Sequence, residues 1–326
     1  MNTSRLKELD GLRGIAAMAV VIYHYIYHYN RLFGHDFYVS ELFSYGFYGV
    51  QLFFIISGFV IFWSIGRVSN VKEFVVSRFS RLYPTFWCAV IITFIVTSIS
   101  NVEPLQLTFT TFLANLTMIH EYFRFQHVDG AYWTLTLEMA FYVWMVAIFK
   151  MKYLSKIESI FIPWVIIAAS ITLFDIPIYN VLKKLFIIDY VEFFAAGICF
   201  FKIMQHSYTR NTLALLLLCV ISLYIKNSIQ TAIGLTGFFI MFFAIIKGRL
   251  PVFRLNAFTY LGAISYSLYL VHQSIGYVII NYGYQQGIPP YLSIPTALFV
   301  SLLLAHSIMT YVEKPALKYI RKNWKS

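Results

Sequence analysis

The sequence predicts an all-α integral membrane protein, a bundle of about ten transmembrane helices with both termini in the cytoplasm. Three observations carry this prediction. Of the 326 residues, 60% are hydrophobic and only 12% are charged, whereas a soluble domain carries roughly 25% charged residues. Apolar stretches of helical length recur along the whole chain. Lysine and arginine are distributed unevenly between alternate loops, as expected when positive charge stays on the cytoplasmic side.

Ten segments are predicted as transmembrane helices, because a helix pairs its own backbone polar groups inside hydrocarbon. They are residues 11–28, 46–65, 82–100, 132–150, 160–175, 186–204, 212–225, 230–247, 258–281 and 291–313. The first is expected to be retained, since no cleavage-site pattern accompanies it. Residues 105–120 are moderately apolar but rich in Thr and Asn, which favours a re-entrant or interfacial segment. The loops are short, so we predict one membrane domain over residues 1–326.

The charges of the loops give the orientation. Nineteen Lys and Arg residues fall in the two termini and in the loops on the same side, and five fall on the other side: Arg31, Arg124, Lys183, Lys184 and Lys226. This asymmetry requires an even number of spans and places both termini in the cytoplasm. It also explains the net charge of +11 without a nucleic-acid partner.

Ionisable residues inside the predicted spans are candidates for function, because a charge in the bilayer is costly. On the first span Arg13 and His24 are eleven positions apart, which places them on one helix face and about 16 Å apart along the axis. Arg13 at the cytoplasmic end could bind phosphate, and His24 in the outer half of the bilayer could take a proton from a hydroxyl. The alternative is an anchoring arginine and a hydrogen-bonded interior histidine. The further candidates are His28, Glu138, Glu192, His272, His306 and Glu313.

Two of these residues are expected at a depth similar to that of His24. Glu138 lies about six residues into a span that enters from the outside, so its carboxylate could orient an imidazole base. Its alternative is a structural ion pair. His272, in ISYSLYLVH, is either catalytic or a buried core histidine. The i, i+4 spacing of His24 and His28 is too weak a pattern to predict a metal site, and the cysteines, all within apolar segments, support none either.

The cytoplasmic side carries a second group of candidates. Arg78 and Arg81, in SRFSRLYP, are three positions apart, and two close guanidinium groups suit phosphate or pyrophosphate. Ordinary positive-inside charge explains them equally well. Glu313, in YVEKPALKY, is expected to pair with Lys314 or a basic loop and to be structural.

These motifs, in this order, resemble the membrane acyltransferase family 3, the OafA-like O-acyltransferases. The resemblance rests on LDGLRGIAAMAVVIYHY, YGVQLFFIISGF at 48–59, SRFSRLYP at 77–84, YWTLTLEMAFYVW, and ISYSLYLVH followed by YVEKP. Residues 151–257 match weakly. Many members have Asp where Gln51 stands, so no carboxylate is assigned there. Some relatives carry a C-terminal hydrolase-like domain, and this chain resembles the members without one.

The resemblance implies an acyl-CoA-dependent membrane O-acyltransferase in the bacterial inner membrane. It implies transfer of an acyl group, usually acetyl, from cytoplasmic acetyl-CoA to a hydroxyl of lipopolysaccharide, exopolysaccharide or a lipid-linked glycan at the outer face of the membrane. His24 is then the general base with Glu138 as a catalytic partner, and Arg13, Arg78 and Arg81 bind the coenzyme. Substrate contact or structural support is implied for His272, Tyr266, Gln51 and Glu313.

No metal and no nucleic acid is expected, the lipid bilayer is the surrounding partner, and a homo-oligomer is left open. Three alternatives remain. A multi-span transporter would use the same membrane His, Glu and Arg residues. An acyltransferase could use a succinyl donor or an acceptor that is not a glycan. A relative that lost catalysis could act in interaction or sensing.

Overall fold

The computed structural model describes residues 6–325, and every regular element within that range is helical. The all-α prediction is therefore confirmed. Two π-helical turns, Tyr23–His28 and Met309–Glu313, interrupt the first and last long helices. The α-helices are α1 (Lys7–Ile22), α2 (Tyr29–Leu32), α3 (Gly49–Ile65), α4 (Val71–Ile99), α5 (Phe109–Asn115), α6 (Trp133–Lys150), α7 (Ile157–Leu173), α8 (Asn180–Leu185), α9 (Val191–Met204), α10 (Arg210–Lys226), α11 (Ile229–Ile246), α12 (Asn256–Gln285), α13 (Pro290–Ile308) and α14 (Lys314–Lys325).

Eight helical segments in the described part of the chain are long and apolar enough to cross a bilayer, which makes this a multi-pass membrane protein. They are Lys7–Leu32, Glu41–Ile65, Val71–Ile99, Gly130–Lys150, Leu154–Leu173, Ile229–Ile246, Asn256–Gln285 and Pro290–Trp324. The predicted spans at 186–204 and 212–225 correspond to α9 and α10, which are apolar helices of only 14 and 17 residues. The count of ten spans and the cytoplasmic termini stay predictions.

The last predicted span, 291–313, is the start of a longer helix. α13, the second π-helical turn and α14 follow one another without a break, so the helical segment continues to Trp324. The added residues are mostly Lys, Arg and other good helix formers. Hydropathy marks where a helix leaves the apolar layer, and it does not mark where the helix itself ends.

The chain forms two compact units. Unit 1 comprises Met1–Gly49, Val75–Thr136 and Arg254–Ser326, and unit 2 comprises Val50–Phe74 and Leu137–Phe253. In unit 1, α12 packs along α1 and α13. In unit 2, α7, α9 and α10 pack on one another.

Glycine allows α1 and α12 to touch through their backbones. A Cβ at Gly262 of α12 would overlap the carbonyl group of Asp10, and a Cβ at Gly14 of α1 would overlap the backbone of α12. Small residues permit this kind of close helix contact in membranes. These two glycines mark the point where α1 and α12 cross. Before this crossing, near the start of α1, buried Glu8 accepts a 2.6 Å hydrogen bond from Arg254, which links α1 to the segment that leads into α12.

Between α4 and α6 the chain folds back alongside α4. The ring of Phe112 on α5 stacks on Phe94 of α4 at 4.6 Å, and the carbonyl group of Thr117 then accepts a 3.1 Å hydrogen bond from Tyr83. Phe94 and Tyr83 are eleven residues apart on α4, which is about 16 Å along the helix axis. The segment thus runs alongside α4 from Phe94 to Tyr83, close to the midpoint of that helix. This geometry favours the re-entrant alternative for residues 105–120.

The side chain of Asn115 pairs the irregular backbone of this re-entrant segment. Its amide nitrogen donates to the carbonyl groups of Thr111 and Gln126 at 2.8 Å, and its oxygen accepts from the N–H group of Val128 at 3.0 Å. Asn115 is fully buried. Non-helical backbone at membrane depth must find its hydrogen bonds within the protein, and one side chain supplies three of them here.

Unit 2 is joined by two buried ion pairs on α9. Lys202 pairs with Glu158 of α7, and Glu192 pairs with Lys226 of α10 at 2.7 Å. All four side chains are at most 10% exposed. Glu192, a candidate for function by its position in an apolar segment, therefore has a structural partner.

Replacing Gly262 by Ala is expected to lower the free energy of unfolding by about 1–3 kcal/mol or more, because the new methyl group would overlap backbone that cannot move aside. Thermal unfolding of the purified protein in detergent would measure the change. Gly234→Ala on α11 is the matched control, since nothing lies within 4 Å of its added Cβ. A Gly262→Ala variant as stable as the parent would contradict the backbone contact.

Candidate active site

His24 lies in the π-helical turn that continues α1. In this turn the N–H group of Tyr29 donates to the carbonyl group of His24, five residues earlier rather than four. Such turns are rare and are often found at functional sites. The side chain is buried, with 9% of its surface exposed. The histidine that the sequence singled out thus sits on unusual backbone within a span.

His272 of α12 faces His24. Its Nε2 lies 3.0 Å from Nδ1 of His24, with the ring centroids 4.9 Å apart and the planes at 64°. Nδ1 of His272 lies 2.8 Å from the carbonyl oxygen of Tyr269 and 3.1 Å from that of Leu268. Nδ1 of His24 lies 2.9 Å from the carbonyl oxygen of Val20. Two candidates that the sequence placed at a similar depth are therefore in direct contact.

Tyrosine side chains surround this histidine pair. The hydroxyl group of Tyr25 donates to the carbonyl group of His272 at 2.7 Å and also bonds to Ser301. His28 uses its Nδ1 for a 2.6 Å hydrogen bond with the hydroxyl group of Tyr277.

Among residues 6–325 no group of three or more His, Cys, Asp or Glu side chains is placed to hold a metal ion.

Asp129, just before α6, is a buried residue that sequence reasoning missed. Its Oδ2 accepts a 2.8 Å hydrogen bond from the N–H group of Ser274, and the hydroxyl group of Tyr132 donates to the carbonyl group of Leu270 at 3.0 Å. These two backbone groups lie one helical turn apart on α12, so both side chains add hydrogen bonds to the same turn. Asp129 and Tyr132 therefore bind α12 two residues on either side of His272.

The re-entrant segment carries three further ionisable side chains in a chain of contacts. Nε2 of His120 lies 2.7 Å from Nδ1 of His127, and Nε2 of His127 lies 3.2 Å from a carboxylate oxygen of Glu121. His120 is 1% exposed, and its Nδ1 has no hydrogen-bond partner among the described residues. Burial, and then the neighbouring His127, lowers the pKa of His120 to about 4. None of these residues was a sequence candidate.

An arginine cluster forms around Glu313 in the second π-helical turn. Glu313 accepts a 3.2 Å hydrogen bond from Ser267 and interacts electrostatically with Arg81 and Arg13. Arg321 of α14 lies close enough to Arg81 for their charges to interact. The expected partner, Lys314, also acts on Glu313, but the guanidinium of Arg81 acts on it more strongly. The structure thus brings together Arg13, Arg81 and Glu313, which the sequence treated separately.

Arg78 and Tyr266 have other surroundings. Arg78 is 9% exposed, and its guanidinium donates to the hydroxyl group of Ser77 at 3.1 Å. Tyr266 of α12 donates to the carbonyl group of Leu82 at 3.0 Å. That hydrogen bond links α12 to α4 and gives Tyr266 a structural role.

Glu138 and Gln51 belong to unit 2. One carboxylate oxygen of Glu138 accepts hydrogen bonds from Ser57 at 3.0 Å and from Tyr142 at 2.5 Å. Gln51 is 4% exposed, and its side-chain oxygen has no hydrogen-bond partner among the described residues. A role for Glu138 beside His24 stays a prediction.

Comparison with protein families matches residues 6–310 to the family model described as "Acyltransferase domain", the acyltransferase family 3. A similar protein is the peptidoglycan O-acetyltransferase OatA of Listeria monocytogenes, which is 29% identical over 91 residues. That match covers 26% of this chain and 12% of the relative, so the chain spans only a small part of the relative's length. No solved structure matches. Because the family model covers nearly the whole chain, the chain belongs to this acyltransferase family, and the resemblance seen in the motifs is confirmed.

We expect Asp129→Asn to lower the free energy of unfolding by about 1–3 kcal/mol. Both carboxylate oxygens accept from backbone N–H groups, those of Ala131 and Ser274, so an amide would turn its own N–H₂ group towards one of them. Burial raises the pKa of Asp129 to about 6, so removal of the charge alone would instead stabilise the protein at neutral pH. Thermal unfolding at pH 7.5 shows whether Asp129→Asn lowers or raises the stability. Asp175→Asn, in an exposed turn, is the control.

The stability of the protein is expected to depend on His120 at acid pH. The pKa of His120 is about 4 in the folded protein and roughly 6.5 when unfolded, so the unfolded chain binds more protons between these values. Stability is therefore lost as the pH falls from about 6.5 to 4. His120→Gln keeps an N–H donor towards His127 and cannot titrate, so its melting temperature should fall less over this range.

Melting temperatures of the parent and of His120→Gln between pH 4 and 7.5 would test this assignment. His306→Gln replaces an exposed histidine that bonds to Tyr260 and serves as the control. Parallel curves for the parent and His120→Gln would show that another group is responsible.

Proposed function

We propose that this member of the acyltransferase family transfers an acyl group, acetyl in the first instance, from cytoplasmic acyl-CoA to a hydroxyl of a cell-surface glycan at the outer membrane face. The family supports acyl transfer, and the similarity to a peptidoglycan O-acetyltransferase supports a glycan acceptor. The observation that carries the proposal is the environment of His24 inside the bundle. His24 is a buried imidazole within a span, and one of its nitrogens is held by fixed contacts.

His24 acts as the general base in this proposal. It removes the proton of the acceptor hydroxyl as the oxygen attacks the thioester carbonyl carbon. A carbon–oxygen bond forms, the carbon–sulfur bond breaks, and coenzyme A leaves as a thiol with the proton that His24 returns. The reaction is balanced without an oxidant, a reductant or a metal ion.

The arginine cluster suits the phosphate groups of an acyl-CoA donor. Arg81 and Arg13 both act on the carboxylate of Glu313, and Arg321 lies near Arg81, so three guanidinium groups gather at this end of the bundle. Guanidinium groups bind phosphate oxygens through paired hydrogen bonds. Arg78, one turn before Arg81 on α4, is the further member that the sequence motif implies.

The distance along the first span suits a long donor. His24 follows Arg13 by eleven residues, which corresponds to about 16 Å of helix rise. A donor whose phosphates lie at the cluster can extend its pantetheine arm along α1 towards His24. This arrangement lets a cytoplasmic thioester react with an acceptor supplied from the outer side.

We expect His24→Ala to lower the rate of acyl transfer by about 10²- to 10⁴-fold, the usual contribution of a general base. The protein would be reconstituted in vesicles with radiolabelled acetyl-CoA, and a peptidoglycan-derived oligosaccharide would serve as acceptor, with ester formation as the readout. His306→Ala removes another histidine from a span and should keep full activity. Labelled succinyl-CoA in a parallel assay identifies the donor.

Full ester formation by His24→Ala would refute its role as the base. Movement of the oligosaccharide across the vesicle membrane without ester formation would instead support the transporter alternative.

A further inference from the structure

We infer that His272 is a positioning residue that holds the hydrogen of His24 on Nδ1 and thereby makes Nε2 the atom that takes the proton of the acceptor. This inference rests on the proposed function, because it identifies the reacting atom of the proposed base. It follows from the hydrogen bonds of two rings.

The tautomer of His272 is set by its own helix. Its Nδ1 faces the carbonyl oxygens of Tyr269 and Leu268, at 2.8 and 3.1 Å. Carbonyl oxygens only accept hydrogen bonds, so Nδ1 of His272 must carry the hydrogen. The ring is fully buried, an environment that disfavours a charged imidazole. Nε2 of His272 is therefore a lone pair that can only accept.

The tautomer of His24 follows from that of His272. Nδ1 of His24 lies 3.0 Å from the accepting Nε2 of His272 and 2.9 Å from the carbonyl oxygen of Val20. With acceptors on both sides, Nδ1 must carry the hydrogen, which the two acceptors share. In the neutral ring Nε2 is then unprotonated, and no described residue hydrogen-bonds to it. The nitrogen without a protein partner is the basic one.

This contact gains strength during the reaction. When Nε2 of His24 takes the proton of the acceptor, the ring becomes an imidazolium, and the hydrogen bond from Nδ1 to His272 becomes charge-assisted. A carboxylate does this in Ser-His-Asp triads, where it fixes the tautomer and stabilises the charged ring. His272 does it with a neutral lone pair, so no permanent negative charge has to be buried beside the base.

Three side chains keep the ring of His272 in place. Tyr25 donates to the carbonyl group of His272 itself at 2.7 Å. Tyr132 and Asp129 bind the backbone groups two residues before and two residues after it. Three side-chain hydrogen bonds thus hold the part of α12 that carries His272, with Nε2 of His272 directed at Nδ1 of His24.

The test compares two replacements of His272. His272→Leu removes the accepting lone pair, and we expect kcat to fall about 10- to 100-fold with an unchanged KM for acetyl-CoA. His272→Gln offers a side-chain carbonyl oxygen to Nδ1 of His24 and should regain most of kcat. His306→Leu is the matched control and should keep the kcat of the parent. A kcat of His272→Leu equal to that of the parent would overturn the inference.

Nitrogen NMR provides a second readout that does not need activity. In protein labelled with ¹⁵N-histidine, the signals of His24 are assigned by their loss in His24→Asn, and we expect its hydrogen on Nδ1. A hydrogen on Nε2 would overturn the inference even if the enzyme is active. If the parent protein shows no acyl transfer, the proposed function fails while the NMR result still decides the proton position. If His272→Leu does not fold, His272→Gln replaces it in both measurements. A kcat near that of the parent with the hydrogen on Nδ1 of His24 supports the inference, and a hydrogen on Nε2 overturns it.

Discussion

Direct contact between the backbones of α1 and α12 is the constraint on which unit 1 depends. Gly14 and Gly262 mark the crossing, and His24 and His272 each lie ten residues further along their own helices. Equal offsets bring the two rings together only because the helices run in the same direction. The crossing is thus remote from the imidazoles, at about 15 Å along each helix, yet it sets the distance between them.

Side chains bind backbone groups at several points in unit 1. Asn115 pairs the irregular backbone of the re-entrant segment, and Asp129 and Tyr132 add hydrogen bonds to α12 around His272. Inside a bilayer an unpaired backbone group finds no water, so irregular backbone persists only where such side chains are available. Some polar residues of this unit therefore bind backbone, whereas a few, such as His24, keep an atom available for chemistry.

The composition and the apolar periodicity were enough to predict the fold class, because the bilayer leaves few alternatives to helices. Residue type within an apolar span likewise pointed to His24 and His272. Asp129 could not be found in this way, since Asp-Gly before a helix is typical of an ordinary N-cap, and its partner Ser274 is 145 residues away. His120 and His127 were missed because their seven-residue spacing in a loop has no periodic signature. The electrostatic interaction of Glu313 with Arg81 also required tertiary structure.

The re-entrant segment implies an order of assembly during membrane insertion. Residues 105–128 are too polar and too irregular to enter the bilayer as a helix of their own. They can settle beside α4 only when that helix is already in place, and Asp129 can find its partner only after α12 has been synthesised. The ribosome must therefore add more than 140 residues before this loop reaches its final depth. The docking of this loop against α4 and α12 is therefore a late step of biogenesis.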